Sequence, residues 1–474
     1  MISKSKFNFY PALLGIMPLL ISLCSPLHPF AKNTPAEDSS VFLLIGKSMS
    51  QSIMPYRDLF DHKGPLLYVI NWLGMLIGFT GVWLIELACI FIAVLFCYKT
   101  ARRFFDKASS FLGTVATFIA LFSWFEGGNL TESYALPLFF GALYCLTGYF
   151  VQNFELKHKQ ILISGLCMGG VLMLRPNMIG LWIGFCAVIF IHSLIIRKFK
   201  LAFSYILFFI VGILASVLPF IIWLGAKGLL NDFYRCYIQF NFEYVHVPLM
   251  AVIESMRNGL KYPIVPIVAA ILIALLFKKD NRKNHDFVLI LSMIAAFCAT
   301  ALLTSLSGFS FPHYYMAYLP CLLLPVAWMI QKVINHVKIK PIIIWIIICL
   351  VLNGSLSIGK GMIELTLKTD ADRNVLASFI KENTAQDEPI LYIGLNCYIY
   401  LQSDRAPAGY YPYYAPESMN YPAVIDSYID EIALKNPRLI AYGNKWLPEK
   451  FRDYINDNYT VVFENRYGRI LTKS

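Results

Sequence analysis

The stretch LAFSYILFFIVGILASVLPFIIW, residues 201–223, contains no charged residue. An α-helix rises about 1.5 Å per residue, so a run of this length can cross the roughly 30 Å hydrocarbon core of a bilayer. A strand of a membrane barrel would alternate apolar and polar residues, whereas this run is apolar throughout. The stretch therefore predicts a transmembrane helix, and similar blocks recur along the chain.

The composition extends this prediction to most of the chain. Of the 474 residues, 58% are hydrophobic and 15% are charged, and the mean hydropathy is +0.59. Soluble domains are about half apolar and about a quarter charged. The net charge of +11 comes from basic residues in short loops without interleaved aromatic residues, which argues against a nucleic-acid partner. We expect an α-helical, polytopic membrane protein.

Short basic loops predict the topology. Loops rich in Lys and Arg face the cytoplasm in membrane proteins. Five such loops lie at 99–107, 157–159, 197–200, 278–283 and 332–340. The apolar blocks between them come in pairs: 110–125 with 133–151, 161–174 with 178–196, 201–223 with 260–277, and 287–306 with 314–331. A last span at 341–358 then carries the chain out of the cytoplasm.

The first hundred residues contain three apolar blocks, at 9–27, 65–79 and 82–98. Three spans would put the loop at 99–107 outside, against its charge. Asn71 and Gly74 interrupt the middle block, so we interpret it as an interfacial or re-entrant helix. The first block is interpreted as a retained signal anchor. About eleven transmembrane helices and a first outer loop at 29–81 follow.

The composition changes after about Gly359. Apolar strands are predicted at 390–393, 439–442 and 461–463, and helices at 370–383, 422–435 and 447–457. Thr369 and Asp372 have the spacing of a capping box at the first of these helices. We predict a transmembrane domain at 1–358 and a small soluble α/β domain at 359–474, outside the cytoplasm.

The first outer loop contains the acidic pair Glu37-Asp38 and the stretch PYRDLFDHKGP, residues 55–65. A carboxylate there can accept a proton from a sugar hydroxyl, and a nearby cation can hold a phosphate. The same charges also suit a solvated loop at lipid headgroups. Asp58, Asp61 and His62 are of the types that bind divalent metals, and whether they do so is left open.

Polar residues near other predicted outer ends extend the candidate site. Arg175 ends a span, where it can hold a phosphate or extend to the interface. His313 opens a span, and a structural hydrogen bond is the alternative role. Glu132 can orient an acceptor, pair with Lys63, or be a helix N-terminal acid favoured by the dipole.

Three of these features resemble the GT-C superfamily of membrane glycosyltransferases, which includes protein O-mannosyltransferases and lipid A aminoarabinose transferases. The resemblance rests on an acidic residue shortly after the first span, here Asp38, and on Lys63-Gly64-Pro65, where those enzymes have a Lys-Pro-Pro-like sequence. Asn129 to Tyr134 resembles a second outer motif of bacterial members. The resemblance covers the membrane half, and the C-terminal domain only in placement.

The resemblance implies an inverting glycosyltransferase in the plasma (inner) membrane, with its active site outside. The sugar donor is a polyprenyl phosphate, and the acceptor is an envelope glycan, a glycolipid or a protein. Asp38 is implied as the general base, with Glu37 beside it. Arg175, Lys63 and His313 are implied to hold the donor phosphate, and the other polar residues to serve the acceptor or the structure. No nucleotide or redox cofactor is expected.

Other functions remain open at this stage. A transporter or flippase would place charges at mid-membrane in repeated halves, and the chain shows no repeat. A glycan polymerase or ligase is favoured by Arg235, His246 and Arg257 in the outer segment at 224–258. A non-enzymatic assembly protein would not need Asp38.

Overall fold

The computed structural model describes residues 14–244, 247–277, 286–337, 340–413, 422–443 and 449–474. The chain forms two compact units. The first comprises Met1–Cys24, Leu84–Trp223 and Val245–Ile363, and the second comprises Ser25–Trp83, Leu224–Tyr244 and Glu364–Ser474.

The helices of the first unit mostly occur where apolar blocks predict them, and Leu249–Gly259 is an addition that begins within the predicted outer segment at 224–258. They are Ile16–Ser22, Phe79–Ala101, Lys107–Leu121, Thr131–Val151, His158–Leu172, Gly180–Ile195, Phe199–Ala226, Leu249–Gly259, Ile264–Phe277, Asp286–Ser305, Leu319–Lys332, Pro341–Val351 and Asn353–Thr366. Phe79–Ala101 and Phe199–Ala226 each have one end in the second unit. Short 3₁₀ turns at Pro176–Met178 and Pro312–Tyr318 precede two of the helices.

Several helices have the length and composition of membrane spans. Among the described residues, five are long and apolar enough to cross a membrane, or up to seven if each of two bent helix pairs forms one span. Pro65–Met75, Lys107–Leu121 and Gly180–Ile195 are shorter and apolar. The fold is thus mostly helical, as expected, while the count of eleven spans and the sidedness stay predictions.

Small residues bring helices of the first unit close together. A Cβ atom at Gly184 would overlap the backbone of Ala296, and one at Gly180 would lie about 2.5 Å from the backbone nitrogen of Thr300. Helix Gly180–Ile195 therefore packs directly on helix Asp286–Ser305. Such small-residue contacts are typical of helix packing in membranes, where close backbone approach supplies the attraction.

The second unit contains the predicted outer loop and the C-terminal region. Its helices are Glu37–Met49, Pro65–Met75, Leu230–Phe233, Phe240–Tyr244, Ala371–Asn383, Tyr398–Ser403, Pro422–Lys435 and Glu449–Asn458, and the π-helical turn Tyr234–Gln239 lies among them. Gly46 of the first helix touches Asn71 of the second. The block interpreted as a short helix, 65–79, is indeed helical over Pro65–Met75.

Four strands form one sheet in the second unit: β1 (Leu391–Ile393), β2 (Leu439–Gly443), β3 (Tyr459–Asn465) and β4 (Gly468–Lys473). Their order is β1-β2-β4-β3, with β1 parallel to β2 and the other pairs antiparallel. The three predicted strands are confirmed, and β4 is an addition. Buried apolar side chains from β1, β2 and β4 and from helices Pro422–Lys435 and Glu449–Asn458 form the core of this region.

The predicted capping box is wrong by one residue. Asp370 is the N-cap of helix Ala371–Asn383, and its carboxylate accepts a hydrogen bond from the Arg373 backbone N–H. Asp372 instead forms an ion pair with Arg466, which leaves no role for Thr369 as the cap. Asp is as good an N-cap as Thr, and both stand at this helix start.

Candidate functional site

A buried carboxylate, Asp61, lies within the segment predicted as the first outer loop and is 2% exposed. It accepts hydrogen bonds from the Tyr68 hydroxyl at 2.8 Å, the Tyr413 hydroxyl at 3.2 Å and the His62 backbone N–H at 2.8 Å. Burial raises the pKa of the Asp61 carboxyl. The loop thus surrounds a carboxyl of raised pKa with hydrogen-bond donors. Such an environment suits an acid that stabilises the loop or one that exchanges protons.

The predicted base, Asp38, lies near Asp61. It stands in the first turn of helix Glu37–Met49 with its side chain exposed. Besides burial, the negative charge of Asp38 contributes to the raised pKa of Asp61 and of Tyr413. Two predicted acids, one exposed and one buried, are therefore brought together. Glu37 is also exposed in the same turn.

Next to Asp61 lie an imidazole and an ammonium group. The His62 Nδ1 atom is 3.5 Å from the Asp61 carboxylate, and the Lys63 Nζ atom is 2.7 Å from His62 Nε2. Asp58 does not join this group, because both of its oxygens contact Arg57 and this contact lowers the pKa of its carboxyl. Among the described residues, no three His, Cys, Asp or Glu side chains gather as a metal site would require.

Tyrosines from the C-terminal region hold the same loop. The Phe60 N–H donates to the Tyr410 carbonyl at 2.7 Å, and the Tyr410 hydroxyl donates to the Tyr56 carbonyl at 2.9 Å. With Tyr413 on Asp61, the segment 410–413 contacts the loop at three points. These tyrosines therefore support the candidate site. Tyr414 and Tyr421 lie outside the described residues.

A second cluster, in the first unit, forms around Arg175. Its guanidinium donates to the Glu132 carboxylate at 2.7 Å and lies 3.8 Å from the ring centroid of Tyr314. The Arg175 side chain is only 11% exposed, and the Glu132 side chain only 1%. Pro176 starts a 3₁₀ turn directly after Arg175, and Glu132 lies in the first turn of helix Thr131–Val151. The arrangement is a buried ion pair rather than an arginine extended to an interface.

His313 belongs to the same cluster. Its Nδ1 atom lies 2.5 Å from the Glu126 carboxylate, which also accepts from the His313 backbone N–H at 3.1 Å. His313 also interacts electrostatically with Glu132. Three predicted residues, Arg175, Glu132 and His313, are thus brought together. Together they are able to hold an anion such as a phosphate ester.

Asn129 takes part in a turn with unusual backbone geometry. Four consecutive residues, 126–129, have positive φ angles of 45°, 86°, 73° and 53°. The Asn129 side-chain oxygen accepts from the Tyr134 hydroxyl at 2.7 Å, and its backbone N–H donates to the Glu86 carboxylate at 2.5 Å. Our sequence interpretation gave no role to Glu86, a carboxylate inside the apolar helix Phe79–Ala101. Its signal was the acid itself, because ionisable residues within membrane spans are rare and functional.

The residues that favoured a polymerase or ligase are less informative. Arg235 is exposed, and Arg257 forms an exposed ion pair with Glu254. His246 lies outside the described residues. Exposed pairs of this type contribute little to stability and do not mark a site.

Comparison with known proteins identifies a sequence family. Residues 3–340 match the family model described as "Putative competence-induced protein Ccs4 N-terminal domain". None of the curated proteins is similar enough in sequence to match the chain.

Solved structures with the same fold are membrane transferases. The chain is similar to ArnT from Cupriavidus metallidurans bound to undecaprenyl phosphate, with 14% identity, a TM-score of 0.59 and coverage of 97% of both chains. It is also similar to the oligosaccharyltransferase AglB from Archaeoglobus fulgidus in complex with an inhibitory peptide and a dolichol-phosphate, with 12% identity, a TM-score of 0.50 and coverage of 93% of this chain and 70% of that one. The apo oligosaccharyltransferase gives 13% identity, a TM-score of 0.51 and the same coverage. Both proteins are GT-C glycosyltransferases, so the expected GT-C resemblance is confirmed for the fold.

Proposed function

We propose that this chain, which belongs to the Ccs4 N-terminal-domain family, is a membrane glycosyltransferase that moves a sugar from a polyprenyl-phosphate donor to an acceptor hydroxyl. The reaction takes place at the outer face of the plasma membrane, and the acceptor is an envelope glycan, a glycolipid or a protein. The observation that carries the proposal is the largely buried Arg175, held by Glu132 and accompanied by His313. The GT-C fold supports it, since solved structures with this fold hold undecaprenyl or dolichol phosphate.

The Arg175 cluster acts on the donor phosphate. A guanidinium suits a phosphate because its fork of N–H groups matches a pair of phosphate oxygens. Glu132 keeps the guanidinium oriented before the donor arrives. As the bond to the sugar breaks, negative charge grows on the phosphate, and Arg175 stabilises it together with His313.

The Asp38 cluster acts on the acceptor. Asp38 takes the proton of the acceptor hydroxyl as the oxygen of that group bonds to the anomeric carbon. The bond between the anomeric carbon and the phosphate oxygen breaks, and its electron pair leaves with the polyprenyl phosphate. Attack opposite the leaving group inverts the anomeric configuration. Burial raises the pKa of the Asp61 carboxyl, which lies near Asp38.

The first test is sugar transfer by the purified full-length protein, using a panel of radiolabelled polyprenyl-phosphate sugars and membrane acceptors. Removing a general base lowers rates by roughly 10²–10⁴-fold. We expect Asp38→Asn to lose transfer by this amount. Asp372→Asn is the matched control, because Asp372 is likewise the second residue of a helix, Ala371–Asn383, and should transfer like the wild type.

The second test is binding of undecaprenyl phosphate, which needs no knowledge of the sugar. Loss of a charge-assisted contact costs about 1.5–3 kcal/mol, so Arg175→Gln should weaken binding roughly tenfold to a hundredfold. If Asp38→Asn turns over like the wild type, Asp38 is not the general base. If Arg175→Gln binds undecaprenyl phosphate like the wild type, Arg175 does not bind the donor phosphate.

A further inference from the structure

Glu86 is a carboxylate in an apolar helix, and its side chain is fully buried. A charge within a membrane span is costly, so such residues persist where they have a function. The proposed mechanism does not use Glu86. Glu86 contacts the turn at 126–129, which contains Glu126 and is followed closely by Glu132, two acids of the Arg175 cluster.

The contacts of Glu86 are with a backbone turn. Its Oε1 atom accepts the Asn129 N–H at 2.5 Å. A Cβ atom at Gly128 would lie 2.5–2.6 Å from both carboxylate oxygens, so the glycine lets the backbone approach the acid. Gly128 also has a φ of +73°, which a residue with a side chain rarely adopts.

The turn needs an external partner to persist. Non-glycine residues with positive φ are uncommon, and Glu126 and Asn129 both adopt it. Such backbone conformations are strained and persist only where the surrounding structure holds them. The Asn129 N–H of this turn donates to the Glu86 side chain, which is thus an external partner of the turn.

This turn also positions two acids of the Arg175 cluster. Glu126, at its first position, binds His313, and Glu132, one residue after the start of the following helix, binds Arg175. Releasing the turn would therefore move the partners of Arg175 and His313 at once.

We propose that Glu86 is a positioning residue that holds the 126–129 turn through the Asn129 N–H and thereby presents Glu126 to His313 and Glu132 to Arg175. This role deepens the proposed function and rests on it. Glu86 does not touch the substrate, and what the turn requires of it is an oxygen acceptor of the right shape.

The test compares Glu86→Ala with Glu86→Gln in the full-length protein. We expect Glu86→Ala to weaken undecaprenyl-phosphate binding at least tenfold, and Glu86→Gln, which keeps an acceptor oxygen, to stay within about threefold of the wild type. Thr117→Val is the control for general damage, because Thr117 is a buried helix hydroxyl that donates to the carbonyl of Gly113, four residues earlier on its own helix. It should bind like the wild type.

A double-mutant cycle separates positioning from simple destabilisation. In a Glu126→Gln background, Glu86→Ala should add a smaller loss than it causes in the wild type, because the route through Glu126 and His313 is already removed while the route through Glu132 and Arg175 remains. Fully multiplicative losses, or Glu86→Gln as damaging as Glu86→Ala, would overturn the proposal.

Hydrogen exchange of the 126–132 segment, measured without ligand, tests whether Glu86 holds the turn and does not depend on the donor. Glu86→Ala should speed exchange there at least tenfold and leave the 107–121 helix unchanged. Unchanged exchange in Glu86→Ala would contradict the positioning role, even if this variant binds undecaprenyl phosphate more weakly than the wild type. If instead the wild type fails to bind undecaprenyl phosphate while exchange responds as expected, the proposed function fails and the hold of Glu86 on the turn stands.

Discussion

Two buried acids, Glu132 in the first unit and Asp61 in the second, are stabilised in opposite ways. Glu132 is neutralised by a cation, since the Arg175 guanidinium lies 2.7 Å away. Asp61 instead accepts hydrogen bonds from two tyrosine hydroxyls and a backbone N–H. An ion pair favours the charged form of both partners, whereas burial raises the pKa of the Asp61 carboxyl and its hydrogen-bond donors only partly oppose that rise.

The contrast separates two chemical tasks. A site that binds an anion needs a cation that is always charged and precisely oriented, and the Glu132–Arg175 pair supplies it. A site that exchanges protons needs groups whose charge changes with their surroundings. Asp38 and Asp61, one exposed and one buried, have that character. The expected effects of breaking each arrangement therefore differ in size and in pH dependence.

The largest effect is expected from breaking the ion pair. Glu132→Gln leaves the Arg175 charge buried without its counter-charge, which costs about 3–5 kcal/mol. The measurement is the free energy of unfolding in mixed micelles titrated with sodium dodecyl sulfate. Glu254→Gln, in an exposed pair with Arg257, is the control and should change it by less than about 1 kcal/mol.

The double variant Arg175→Met with Glu132→Met sharpens this prediction. It leaves no unpaired charge, so its loss of stability should be well below that of Glu132→Gln. A double variant less stable than Glu132→Gln would contradict the account of the pair.

An intermediate effect is expected from the pH dependence of Asp61. Because its folded pKa lies above the ordinary value of about 3.9, the protonated form is favoured on folding. That contribution is fully present below about pH 4 and is lost as pH rises through the folded pKa. Relative to Asp61→Asn, the wild type should lose about 1.4 kcal/mol for each unit by which the pKa is raised.

Asp58→Asn provides a control of opposite sign. Arg57 lowers the pKa of Asp58, so this acid contributes stability at neutral pH and loses it as pH falls through the folded pKa. Parallel pH profiles for the two variants would contradict the assignment of Asp61 as the acid with the raised pKa. The readout is the unfolding free energy between about pH 2 and pH 8, because the Asp58 contribution is lost only below its unfolded pKa of about 3.9.

The smallest effect is expected from single tyrosine hydroxyls. Tyr413→Phe removes one hydrogen bond to Asp61 and should cost about 0.5–1.5 kcal/mol. It should also lift the Asp61 pKa further, because a donor to its ionised form is lost. Tyr234→Phe, an exposed tyrosine, should change neither quantity. A Tyr413→Phe protein as stable as the wild type would show that the hydroxyl contact adds nothing.

The long apolar helices were predictable from sequence because each is a local, continuous apolar run, whereas Leu249–Gly259 is not such a run and was missed. The short helix at Pro65–Met75 was predictable for a related reason, since loop charges restrict how many spans can precede residue 99. Strand β4 was missed because Gly468–Lys473 is short, polar at both ends and joined to β3 by a tight turn.

The sequence predicted most residues of the candidate site but only some of the contacts between them. Arg175 with Glu132, and Asp38 with Asp61, join residues that the sequence singles out without stating which partners meet. The support of Asp61 by Tyr413 links positions 352 residues apart, and no local pattern encodes such a contact. Glu86 was missed because a single acid in an apolar run was not given its due weight.

The Tyr413–Asp61 contact has a consequence for biosynthesis. Ribosomes add roughly 5–20 residues per second, so about 20–70 s separate the emergence of the loop from that of the tyrosine that completes it. During this interval Asp61 lacks one of its donors, and the nascent loop stays accessible to chaperones and proteases on its side of the membrane. A chain halted before residue 410 would leave this loop permanently immature.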